Sequence, residues 1–237
     1  AYNINAHVAQ DALDKPAPVV KKARWSNYLR LFQGVYLRRT TLATLLSVVS
    51  SFAYNAVAFG LPVIISSFFV QSMLTTILIS LVLNLLFAFV GGLLAVRLVP
   101  RLGAWKMSLA GYGCQLAALL GLALIGRPEG AAEGIVAVAM LALFLFGQGF
   151  GPGAHTMTFA SLSYPTSLRG VGVGLNQTLM RSSSTLSLFL FPLLVAALDT
   201  RVFWVIAAAP LIGLLSLLAI RWEPSGYDID AEDYQDK

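Results

Sequence analysis

The sequence predicts an all-α membrane protein of six transmembrane helices, and three observations predict it. Hydrophobic residues make up 57% of the chain and charged residues 11%, with a mean hydropathy of +0.76. A soluble domain carries about 25% charged residues, so this chain lacks the polar surface to cover a core in water. Its apolar residues are gathered into stretches of the roughly 20 residues that a helix needs to cross hydrocarbon. The alternating segments of about ten residues that a β-barrel requires do not occur in the pattern.

Taken in order, residues 1–23 are polar and hold Pro16 and Pro18, which disfavours a helix and reads as a linker. The chain opens on Ala1 without a basic-then-apolar signal segment, the pattern of a fragment or a processed chain. From Arg24, the residues Trp25, Tyr28, Leu29, Phe32, Val35 and Tyr36 recur at helical spacing between Arg24, Arg30, Arg38 and Arg39. This predicts a basic amphipathic helix, either lying among lipid headgroups or solvated and packed on the bundle. Membrane spans are expected at 41–62, 73–96, 104–126, 132–155, 167–195 and 202–220. The first two are divided only by Ser66, Ser67 and Gln71. Turns follow at Gly126–Gly130, Tyr164–Thr166 and Asp199–Arg201, and Glu223–Gly226 ends the last helix. The chain thus divides into a linker with an amphipathic helix (1–40), a six-helix bundle (41–220) and an acidic tail (221–237) bearing Asp228, Asp230, Glu232, Asp233 and Asp236.

Charge orients the bundle. Seven Lys or Arg residues precede Thr40, and Arg97, Arg101, Lys106, Arg169 and Arg221 fall on the same side, against Arg127 and Arg201 on the other. That asymmetry places the linker, the tail and both termini in the cytoplasm. It also accounts for the net charge of +5 without a nucleic-acid partner. Cys114 is the only cysteine and the chain has two histidines. An intrachain disulfide, thiolate metal clusters, zinc spacing and a Ser/His/Asp set are therefore excluded; no cofactor is expected, and a membrane-embedded enzyme is the weakest reading.

Polar groups inside spans are costly and mark partners or water-filled cavities. The candidates are Tyr54 and Asn55 in the first span, Asn84 in the second, Gln148 and His155 in the fourth, and Asn176, Gln177 and Arg181 in the fifth. Gln148 and His155 are seven residues apart, which puts them on one face of a continuous helix. So are Gln177, Arg181, Ser184 and Thr185. Arg181 lies too deep for easy snorkelling, and none of the Asp or Glu residues lies deep in a span. It reads either as a fixed cation in a solute cavity or as a structural arginine satisfied by helix-end carbonyls or a neighbouring carboxylate. The cluster Gly147, Gly149, Gly151, Pro152 and Gly153 predicts a bent or locally broken helix, although close packing accounts for it as well. Gly170-x-Gly172-x-Gly174 lacks the strand of a dinucleotide fold and reads as helix packing.

Two stretches resemble the C-terminal half of a major facilitator superfamily transporter. Gly91-Gly92-Leu-Leu-Ala-Val-Arg97 through Arg101-Leu-Gly103-Ala-Trp-Lys106 is similar to the repeat of its cytoplasmic loop signature, with Val96 at the usual acidic position and the terminal basic pair reduced to Lys106. Tyr164-Pro165-Thr166-Ser-Leu-Arg169-Gly170-Val-Gly172-Val-Gly174 resembles the loop between helices 10 and 11 of the sugar-porter-like branch. The likeness is to bacterial metabolite or aromatic-acid proton symporters and to organic anion transporters, in which an arginine follows that motif at the spacing of Arg181. Leu162 replaces the glutamate usual before the tyrosine. The segment Leu31–Arg39 looks like the approach to helix 7.

The resemblance implies helices 7–12 of a twelve-helix fold in a bacterial inner membrane, with an N-terminal six-helix half as the missing partner. It further implies alternating access and proton-coupled symport of a small organic, anionic metabolite. The proton-bearing acid would have to come from the other half. The reading from another class is a self-contained six-helix channel or membrane assembly partner.

Overall fold

The computed structural model describes residues 25–68 and 72–224. The polar linker before Trp25, Gln71 of the first boundary and the acidic tail from Asp228 onward lie outside these residues.

The chain forms α1 (Trp25–Arg30), α2 (Gly34–Phe68), α3 (Met73–Leu83), a π-helical turn (Asn84–Ala88), α4 (Phe89–Leu102) and α5 (Ala104–Ile125). These are followed by α6 (Ala131–Phe150), α7 (Pro152–Leu162), α8 (Thr166–Leu198), a 3-10 turn (Asp199–Arg201) and α9 (Val202–Ala219). Together α3, the π turn and α4 make one crossing, and α6 and α7 make another. By apolar continuity alone the described residues contain five long stretches, the last running over 54 residues from Thr166 to Ala219. At 1.5 Å per residue that stretch is about 80 Å long, against a hydrocarbon core of roughly 30 Å, so it must fold back. It does so at Asp199, whose φ of 50° is left-handed, and α8 and α9 are separate crossings. Six crossings result.

The basic amphipathic helix does not form as one unit. Gly34, at φ 52°, breaks it after α1, and Val35, Tyr36, Arg38 and Arg39 become the first turns of the membrane helix α2. Leu31 is buried against Tyr164 and Leu168, and its carbonyl accepts from Thr40 Oγ1 at 2.9 Å. Tertiary contacts thus fix the break. The loop expected between the second and third spans, 97–103, is also nearly absent, because α4 runs on to Leu102 and only Gly103, at φ 81°, separates it from α5.

Hydrogen bonds give the helix directions. Asn176, Ser183 and Ser187 on one face of α8 donate to the α2 carbonyls of Ala43, Val48 and Phe52 at 2.9, 2.8 and 2.7 Å, so the two helices run parallel. The ring of Phe191 fills the space that a side chain at Gly60 would need. Gln115 on α5 meets Gln148 on α6, while Gly121 faces Met140, an antiparallel pair. Trp105 Nε1 donates to Leu217 O at 2.9 Å and Gly126 lies near Thr200, so α9 runs antiparallel to α5.

The basic ends of the helices gather on one side. Arg39 lies 3.9 Å over the Trp222 ring, and Trp222 Nε1 donates to Ser163 Oγ at 3.2 Å. Glu223 caps α5: its two carboxylate oxygens accept from the N–H groups of Ala104 and Trp105 at 3.1 and 2.9 Å. Removing a charged cap costs about 1–2 kcal/mol. Glu223→Ala is therefore expected to lower the melting temperature in detergent by several degrees, and Glu223→Gln by less. No change in either variant would show that the cap is not worth its bonds. On the opposite side Arg127 pairs with Asp199 at 2.9 Å, both largely exposed, a bridge of little energetic weight.

Candidate functional site

α8 carries three distinct strips. Asn176, Ser183 and Ser187 are buried against α2. Leu179, Leu186, Phe189 and Leu193 are exposed and apolar, a surface suited to lipid. Between them, Gly174, Thr178, Arg181 and Thr185 are exposed at helical spacing, with Gln177 and Ser184 half-buried beside them. The hydroxyls of Thr178, Ser182 and Thr185 bond back to carbonyls one turn earlier in the helix, which satisfies them locally. The Arg181 guanidinium makes no hydrogen bond or ion pair among the described residues. It stands near the middle of α8 on an open polar strip.

That strip continues onto α2. Ser184 Oγ meets Ser51 Oγ in a short hydrogen bond, and Asn55 Nδ2 donates to Ser51 O at 2.7 Å and toward Ser184 Oγ at 3.2 Å. Both Ser51 and Asn55 are half-buried. One residue earlier on α2, Tyr54 OH donates to Asn84 Oδ1 at 3.4 Å, joining α2 to the π turn. Single π turns inside α-helices frequently occur at functional sites.

The remaining candidates lie inside the bundle. Gln148 accepts from Gln115 Nε2 at 2.6 Å and donates to Ser50 Oγ at 3.1 Å. Tyr112 OH donates to Leu46 O at 2.7 Å, so α2, α5 and α6 are tied together by buried polar groups. Asn176 is fully buried; its amide nitrogen donates to the Ala43 carbonyl, while its Oδ1 has no partner among the described residues. His155 is buried on α7. Gly151, at φ −111° and ψ −105°, breaks the helix between it and Gln148, so the seven-residue spacing no longer sets how the two side chains are related. The broken helix expected from the glycine cluster is thus present, and Pro152 opens α7 where its missing N–H costs nothing. Close packing is present too: a Cβ on Gly111 would lie 2.5 Å from the Gly151 Cα.

Three partners were missed in the sequence. Gln115 lies in an apolar span and meets the criterion applied to Gln148, Ser50 bonds Gln148 from α2, and Ser51 adjoins Asn55 by one helical turn. At the basic end the motif tyrosine, Tyr164, is fully buried. Its OH donates to Thr40 Oγ1 at 3.0 Å, and burial pushes its phenol up. Gly172 packs on its ring, while Gly170 and Gly174 face open space.

The described residues thus form a six-crossing helical bundle of membrane-span character that bears an open polar strip along α8 and onto α2. The family model described as "Sugar (and other) transporter" matches residues 5–228, and the chain belongs to that family, within the major facilitator superfamily. Two crystal structures of a mutant of the peptide transporter POT are similar in fold. The one in complex with alafosfalin aligns with a TM-score of 0.61 and 18% identity over 83% of this chain and 42% of that one. The one in complex with sulfate aligns with a TM-score of 0.60 at the same identity and coverage. The chain therefore spans less than half the length of these relatives. No curated protein matches it.

Proposed function

We propose that the chain is the C-terminal six-helix half of an alternating-access transporter for a small organic anion, opposed to an N-terminal six-helix half across the polar strip of α8 and α2. The observation that carries this reading is Arg181. A guanidinium near the middle of a membrane span costs at least ~2.5–3.5 kcal/mol on insertion scales, and Arg181 recovers none of it within the described residues. An anion in a hydrated cavity between two halves would repay it, with Gln177 and Asn55 beside the charge and Tyr54 and Asn84 at the α2–α3 edge. In this arrangement Gln148 and Asn176 hold the helices that carry the site. His155 keeps its place among the candidates as a buried group next to the α6–α7 break.

The basic helix ends belong on the cytoplasmic side of a bacterial inner membrane, by the positive-inside rule. Proton coupling, which the family resemblance implies, falls to an acid of the other half. Glu133 lies in the first turn of α6, and Glu129, Asp199 and Glu223 lie at helix ends.

Reconstitution tests the reading. In liposomes the chain alone is expected to give no saturable uptake, and co-assembly with the complementary half to restore it. Saturable, solute-specific uptake by the chain alone as a monomer would replace this proposal with a self-contained six-helix channel.

A further inference from the structure

The basic end of α4 presents charge that the bundle does not neutralise. Val90, Leu94, Arg97 and Arg101 follow one another at spacings of four, three and four residues, so they share one face, and all four are exposed. Lys106, in the first turn of α5 beyond the Gly103 elbow, is exposed as well. None of the three cationic side chains is in an ion pair or hydrogen bond with a described residue. Arg97 and Arg101 stand four apart on α4, where like charges repel, and Lys106 sits at the positive end of the α5 dipole. Glu223, the described carboxylate at this end, is turned onto the N–H groups of Ala104 and Trp105.

Deeper along the same helix the surface is apolar. Leu85 and Leu86 of the π turn and Phe89, Val90, Leu93 and Leu94 of α4 are all exposed. From Leu85 to Leu94 is about 14 Å at 1.5 Å per residue, close to one leaflet of a hydrocarbon core of roughly 30 Å. An apolar surface one leaflet deep thus ends on three cations. We propose that this face of α4 and the first turn of α5 bind an anionic phospholipid, with its acyl chains along residues 85–94 and its phosphate held by Arg97, Arg101 and Lys106. The planar fork of arginine donates two parallel bonds to a phosphate, and the long apolar stems of these side chains let their charges reach headgroup depth. A zwitterionic headgroup fits less well, because its ammonium would enter a corner of three cations whose one carboxylate is taken up by the α5 N–H groups. Within the chain the rival occupant is the acidic segment 228–236, which has no apolar run to match the surface below the cations.

The experiment uses the complete transporter polypeptide containing this chain. Native mass spectrometry follows the binding of phosphatidylglycerol and of phosphatidylcholine as each is added to the protein in mild detergent. Phosphatidylglycerol is expected to bind roughly tenfold more tightly or better, since each cation near an acidic headgroup contributes up to about fivefold. Arg97→Gln, Arg101→Gln and Lys106→Gln combined should leave the two lipids bound alike. Arg201→Gln, which removes a cation from the opposite end, should leave the preference intact. Where the triple variant does not assemble, Arg97→Gln and Arg101→Gln are made singly, and each should lower the preference several-fold. Inorganic phosphate, the headgroup chemistry without chains, should not displace the lipid at matched concentration, and displacement would end the lipid reading. Equal binding of the two lipids by the unmodified protein, or a preference that survives the substitutions, overturns the inference. So does a preference lost equally in Arg201→Gln, which marks attraction to net charge alone. A preference that emerges only when Asp228, Asp230, Glu232, Asp233 and Asp236 are neutralised gives the corner to the acidic segment and overturns it too.

Discussion

Arg181→Ala is expected to abolish uptake of an anionic solute while leaving the amount of folded protein in the membrane close to normal. Truncating one partner of a desolvated, hydrogen-bonded charge pair costs 2–5 kcal/mol, or about 30-fold to several thousand-fold in affinity. Arg181→Lys should recover only part of this, because lysine is a point charge and cannot present the two parallel N–H groups that match a carboxylate. Folding should not suffer, since the side chain is exposed and makes no bond among the described residues. A structural arginine paired with an acid of the opposing half predicts the reverse: loss of folded protein, restored when that acid is neutralised too. Normal anion uptake by Arg181→Ala, measured in the same vesicles as the unmodified protein, would end the anion-site reading.

The second large effect concerns stability. Gly149 on α6 lies directly on the backbone of Ala88, the last residue of the π turn, and an added Cβ would fall 2.9 Å from the Ala88 carbonyl carbon. Backbone cannot move aside as a side-chain tip can. Gly149→Ala is therefore expected to cost about 3 kcal/mol or more, at the upper end of overpacking effects. Gly92, on the neighbouring α4, has nothing within 4 Å of an added Cβ. Gly92→Ala should be neutral or stabilising by up to ~1 kcal/mol, since alanine is the better helix former. Thermal unfolding of the two variants in the same detergent checks the contrast. Equal melting temperatures would show that α6 and the π turn are not in the close contact described.

Both effects depend on features that were unequally legible in the sequence. The glycines of 147–153 announced a disturbed helix, because glycine and proline act locally on the backbone. That Gly149 must meet Ala88, sixty-one positions earlier (149 − 88), is a property of helix packing and has no local signature. Arg181 was legible for the opposite reason. A charge in a long apolar run stands out whatever surrounds it, and its isolation on an open strip is what the fold added.

Amphipathic periodicity across Arg24–Arg39 predicted one helix, whereas α1 ends at Arg30 and α2 starts at Gly34. The reason lies outside the segment, in Tyr164 and Leu168, which hold Leu31 in place. Gln148 and Asn176 carry the same side-chain amide group as Asn55 and were equally plausible at a solute site. Only their partners distinguish them: Gln115 and Ser50 for one, the Ala43 carbonyl for the other.

By itself the sequence determined the solvent, the crossings and the handedness of charge. Apolar length, turn residues and the Lys/Arg count are additive along the chain and need no knowledge of neighbours. Only the tertiary structure decided which polar residues are spent inside the bundle and which remain to meet a solute. A hydrogen bond between helices is a relation between distant positions, so whether Asn55 is spent on a neighbour depends on where Ser51 and Ser184 come to rest.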